Sequence, residues 1–72
     1  MDLDHRGLEP PLPMVRTLEA LERLAPGATL VVHNDRVPAY LLPHLDARGV
    51  TYEIEALDDG SVRLTLRTPL AP

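Results

Sequence analysis

Residues 50–67 alternate between apolar and polar side chains. Val50, Tyr52 and Ile54 take turns with Thr51, Glu53 and Glu55, and Val62, Leu64 and Leu66 take turns with Arg63, Thr65 and Arg67. A period of two belongs to strands with one face covered and one face wet. Asp58-Asp59-Gly60 between the runs is a strong hairpin signal. Antiparallel pairing would bring Glu53 and Glu55 near Arg63 and Arg67. The rest of the chain therefore has to cover one face of this hairpin. The other face, carrying Thr51, Glu53, Glu55, Arg63 and Arg67, is expected to stay open to solvent.

The upstream residues supply that cover. Leu3 to Arg6 alternates and reads as a short first strand ended by Gly7. The Pro-rich turn Gly7-Leu8-Glu9-Pro10-Pro11-Leu12-Pro13 follows. From Pro13 to Leu24 the apolar residues Met14, Val15, Leu18, Leu21 and Leu24 recur at helical spacing, with Arg16, Glu19, Glu22 and Arg23 on the wet side. Proline suits the first helical position because its missing N–H has no partner there. Ala25-Pro26-Gly27 stops this helix. Thr29 to Val32 reads as a strand buried on both faces, broken by the polar turn His33-Asn34-Asp35-Arg36. A second helix is predicted from about Ala39 to Arg48, with Gly49 as its cap and Pro43 in its first turn. Pro69 and Pro72 lead to residues 1–68 being read as a single domain and 69–72 as a disordered tail. The order is β-α-β-α-β-β. Right-handed crossovers then give an α/β (α+β) two-layer sandwich, a four-stranded mixed sheet with two helices on one face.

Composition excludes several functions. Seventy-two residues make one domain near the lower limit for a single unstapled core. With no cysteine there is no disulfide, no thiolate zinc site and no thiol catalysis. Tyr40 and Tyr52 are the only aromatic residues, too few for a base-stacking surface. A net charge of −4 works against nucleic acid and anionic membranes as partners. All seven basic residues are arginine, the mark of codon bias in a GC-rich bacterial genome. The N-terminus has neither the basic segment nor the apolar run of a signal peptide, so the expected location is the cytoplasm. An exposed edge strand and a small core fit a monomer or a weak homodimer.

The segment Leu3-Asp4-His5-Arg6-Gly7-Leu8-Glu9-Pro10-Pro11-Leu12-Pro13 resembles the opening of TusA/SirA-type sulfur carriers. Those proteins have a strand, then Gly-Leu, a variable residue and Cys-Pro-x-Pro. Pro11 and Pro13 match the family prolines, while Pro10 stands where the carrier cysteine belongs. Pro26-Gly27 and Leu42-Pro43-His44-Leu45 continue the likeness. The chain is still more similar to the cysteine-free relatives grouped as domain-of-unknown-function 2249. The shared motifs are Asp4-His5-Arg6-Gly7-Leu8-Glu9-Pro10-Pro11, the Asn34-Asp35-Arg36 turn, Leu41-Leu42-Pro43-His44-Leu45 and Arg48-Gly49-Val50-Thr51-Tyr52-Glu53. This resemblance implies the βαβαββ sandwich and no established activity. Such relatives stand beside or fused to hemerythrin-like and respiratory or nitrogen-oxide proteins, an association and not a mechanism.

Sulfur transfer needs a nucleophile at the helix N-terminus, and Pro10 offers neither a thiol nor an N–H. Ser61, the only serine, is placed at the last strand and does not replace it. The chain is therefore read as a non-catalytic sulfur-carrier-like domain, an accessory or regulatory module that binds a protein or a small ligand, with no cofactor. Its candidate binding residues are His5, Arg6, Glu9, Pro10, Asn34, Asp35 and Arg36, gathered where the first two strands run into their helices. Loops at the carboxyl ends of strands are the usual binding place in open α/β sheets. Glu9 is also read as an anion favourable at the helix N-terminus. The alternative is a metal- or cofactor-binding protein using His5, His33 and His44, helped by Asp4, Glu9 or Asp35. Against it, no pair has the close spacing of helix-borne metal sites.

Overall fold

The computed structural model describes residues 1–70. Its elements are β1 (Asp2–Asp4), α1 (Leu12–Arg23), β2 (Thr29–Asn34), α2 (Leu42–Ala47), β3 (Thr51–Ala56) and β4 (Val62–Arg67). The strands form one four-stranded sheet in the order β1-β2-β4-β3. β1 runs parallel to β2, and β4 is antiparallel to both of its neighbours. The expected two-layer α+β sandwich is the fold observed.

The core lies between the helices and the two central strands. Leu30 and Val32 of β2, Leu64 and Leu66 of β4, and Leu41 and Leu45 around α2 are buried, joined by Leu21 of α1. α1 also buries Thr17, whose hydroxyl donates to the Pro13 carbonyl oxygen at 2.8 Å. That bond uses an acceptor within the helix and lets a polar residue occupy the apolar stripe. Val15, read as a core position, is 40% exposed. β2 is not buried on both faces: Leu30, Val32 and Asn34 are buried, while Thr29, Val31 and His33 on the other face are partly open.

Several boundaries differ from the sequence reading. β1 ends at Asp4, although the His5 N–H still donates to the His33 carbonyl at 2.8 Å. β2 runs on through His33 and Asn34, because β4 continues to pair with them. α2 starts at Leu42 instead of Ala39, since Pro38 to Leu41 is held in turns by Ala39 N–H to Val37 O and Leu41 N–H to Pro38 O. Pro43 is thus inside the first turn, where a missing N–H costs little.

On the open face Thr51, Glu53, Glu55, Arg63 and Arg67 are all exposed. The register sets Glu55 opposite Arg63, and their side chains meet at 2.9 Å. It sets Thr51, not a glutamate, opposite Arg67. Within the expected 69–72 tail, the Pro69 carbonyl accepts from the Gly27 N–H at 3.1 Å; residues 71 and 72 lie outside the described residues.

Candidate functional site

Because β1 and β2 are parallel, their carboxyl ends open at the same edge of the sheet, and two loops leave from there. Arg6 and Gly7 turn the first loop toward the prolines ahead of α1, and Asp35 to Leu41 form the second. The Asp35 carboxylate ties them together by accepting from the Gly7 N–H at 2.8 Å. Gly7 has φ +82°, a left-handed conformation that its lack of a Cβ makes cheap.

Between the loops lies an apolar groove of about 650 Å³. The first loop and α1 contribute Leu8, Pro10, Pro11, Pro13 and Met14, and the second loop contributes Val37 to Leu41. Its polar lining comes from His5, Asn34, Asp35, Arg36 and His44. Of the residues proposed from sequence, His5, Pro10, Asn34, Asp35 and Arg36 thus share one groove. Arg6 and Glu9 do not line it. Arg6 turns back onto Asp4 in a paired contact, Nε to Oδ1 at 3.0 Å and Nη2 to Oδ2 at 2.9 Å. That guanidinium holds the Asp4 carboxyl well below the usual carboxylate range. Glu9 lies ahead of the helix; its backbone carbonyl accepts from Leu12 N–H, and the first turn of α1 holds no acidic residue.

Sequence reading missed the Val37-Pro38-Ala39-Tyr40 wall. An apolar run that ends in a helix looks like the start of that helix, and here it is a loop. Tyr40 is 88% exposed at the groove's rim.

His5 forms part of the groove's lining, and its side chain is 1% exposed. Its Nδ1 lies 3.2 Å from the Asn34 carbonyl oxygen Oδ1. A carbonyl oxygen only accepts, so Nδ1 carries the proton and Nε2 is left with a bare lone pair. Burial pushes the His5 pKa down and so favours the neutral ring, against the smaller opposing effect of the Asn34 hydrogen bond. Nε2 has no hydrogen-bond partner.

The three histidines do not converge. Asp4 pairs with His33 across β1 and β2, so His5, one residue later, faces the opposite side of the sheet from His33. Having neighbouring strands is therefore not enough to bring the two together. His33 lies with Ser61 on the open face, Nε2 to Oγ at 2.8 Å. The Ser61 hydroxyl donates to the Asp59 carboxylate, so it can only accept from His33. That polarity is the reverse of what an activated serine nucleophile needs. The Ser61 hydrogen bonds also hold the Asp59 carboxyl below its ordinary range. Among the described residues no group of three or more His, Asp or Glu side chains is placed to hold a metal ion.

The N-terminus of α1 is stripped of donors. Pro10, Pro11 and Pro13 have no N–H, Leu12 N–H is spent on the Glu9 carbonyl, and Val15 N–H on that of Pro11. A helix start binds anions through its unspent N–H groups, and Met14 is left to supply one here.

The family model described as Uncharacterized conserved protein (DUF2249) matches residues 2–68. The chain belongs to that family. Its fold is also that of the SirA-like protein from Desulfitobacterium hafniense. The crystal structure of that protein aligns over 96% of this chain and 99% of its own, with a TM-score of 0.84 and 25% sequence identity. No curated protein matches this DUF2249 chain. The family carries a SirA-like scaffold here, with proline at the start of the first helix and no cysteine anywhere.

Proposed function

We propose that this DUF2249 protein is a non-catalytic accessory or regulatory module of the cytoplasm that binds a small ligand in the groove at the carboxyl ends of β1 and β2. The observation that carries the reading is the groove itself. It has about 650 Å³ of mostly apolar space, within the range of ligand sites, and a few convergent polar groups including the buried His5. Absence of a thiol and depletion of N–H donors at α1 remove the means of carrying a persulfide. The binding residues of this reading are His5, Pro10, Asn34, Asp35 and Arg36.

A fragment screen followed by ¹H–¹⁵N NMR tests it. Hits should move the amides of residues 7–14 and 35–44 and leave those of β3 unmoved. Hits mapping to the opposite end of the sheet, or none at all, would remove the groove from consideration.

A further inference from the structure

Nε2 of His5 is an unusual atom for a small core. A buried acceptor without a donor has given up its hydration for nothing in return, and native structures hold few of them. The ring cannot relieve this by turning over, because Nδ1 is engaged by Asn34. Protonation does not relieve it either, since burial disfavours the charged ring. A partner from outside the chain is the remaining solution, and the groove meets His5 at its lining.

The chemistry of that partner follows from the lining. Leu8, Pro10, Met14, Val37, Pro38 and Leu41 ask for an apolar body. A lone pair asks for a donor. Asp35 and Arg36 give the lining one charge of each sign, so it carries no net charge to hold an anion; a fully deprotonated acid brings no proton to Nε2, and α1 offers it almost no N–H. A protein-held metal ion would need ligands that the described residues do not bring together.

Resting on the groove as the binding site, we propose that its occupant is an uncharged, mostly apolar small molecule of the phenol or indole class. Its single O–H or N–H donates a hydrogen bond to Nε2 of His5. Asn34 then acts as a positioning residue: it fixes the tautomer that makes Nε2 the acceptor.

The test uses two matched probe pairs, indole against 1-methylindole and phenol against anisole, titrated into the wild-type chain by NMR. The donor-bearing member of each pair should bind about 10-fold tighter, the equivalent of one net hydrogen bond. It should also move the ¹⁵N resonance of His5 Nε2 upfield, which the methylated member should not do. In His5→Phe the ring volume is kept, and the difference within each pair should vanish. Should His5→Phe fail to fold, the Nε2 resonance of the wild type decides by itself. Equal binding within both pairs, with shifts in the groove and a static Nε2 signal, overturns the donor proposal and leaves the groove standing. No binding by any of the four probes up to millimolar concentration overturns both.

Discussion

Replacing Asn34 by leucine removes the acceptor of His5 Nδ1 while keeping a branched side chain with the same number of heavy atoms. Asn34 is 4% exposed and His5 1%, so no solvent reaches in to replace the lost bond. The imidazole would then have an orphaned N–H as well as its unpartnered Nε2. One such buried orphan costs about 1–3 kcal/mol. A chain of this length has about 4–11 kcal/mol of stability in total. A loss near 2 kcal/mol lowers Tm by roughly 8–16 °C, at about 4–8 °C per kcal/mol for so small a domain. His5→Leu strands the Asn34 carbonyl instead and should cost a similar amount. The double variant Asn34→Leu/His5→Leu removes both polar groups together, and that change is expected to be nearly neutral. Urea unfolding followed by far-UV circular dichroism measures all four proteins; the few tyrosines, with Tyr40 88% exposed, make fluorescence the poorer probe. With the double variant nearly neutral, the expected coupling energy equals the sum of the two single losses, about 2–6 kcal/mol. Strictly additive single effects, or an Asn34→Leu protein as stable as wild type, would show that the 3.2 Å contact is not a hydrogen bond the fold depends on.

The remaining predictions concern pH, packing and the lost cysteine. His5 titrates lower in the folded chain than unfolded, so below about pH 6.5 the unfolded state binds more protons and stability decreases as the pH is lowered. Asp4 and Asp59 are held below 3.8, and their contributions are present above that value and lost only below it. Chemical denaturation across pH should therefore show two acid limbs, with the upper one absent in His5→Leu; an unchanged upper limb in that variant would assign it elsewhere. Leu64→Ala, at a fully buried central-strand position, should cost about 2–5 kcal/mol. Ile54→Ala, directly opposite on the edge strand and 39% exposed, should cost under about 1 kcal/mol, and equal losses would contradict the observed layering. Pro10→Cys should give a thiol titrating within about one unit of the ordinary 8.5, read from the pH dependence of alkylation. A much more acidic thiol would show that the proline-rich helix start still stabilises anions.

The hairpin was legible because alternation and turn chemistry agree. Val62, Leu64 and Leu66 are all buried, as their spacing requires. The same alternation misleads at Ile54, since β3 lies at the sheet's edge while the core is built mainly on β2 and β4. Sequence spacing tells which residues share a face; how much of that face is covered depends on strand order. The clustering of His5 with Asn34 could be read from adjacent strand ends. Their separation from His33 could not, because it depends on one residue of register between β1 and β2. The start of α2 was misplaced for a different reason. Val37 to Leu41 is apolar enough for a helix face, yet Pro38 and Pro43 confine the helix to the residues from Leu42 onward.

The same prolines connect what this chain lacks with what it keeps. In a sulfur carrier the first helix faces its site with a nucleophile and N–H donors. Here Pro10, Pro11 and Pro13 supply neither, and what they add to the groove is apolar surface. A groove walled by prolines loses little side-chain entropy when a ligand fills it, because those rings have few rotamers to give up. Polar selectivity must then come from Arg36, His44 and the strand ends, where Asn34 and Asp35 are each committed to a protein partner, His5 Nδ1 and Gly7 N–H. That leaves His5 Nε2 as the one buried side-chain atom in the described residues without a partner. A site built this way distinguishes ligands of like shape by whether they bring a proton to that one nitrogen.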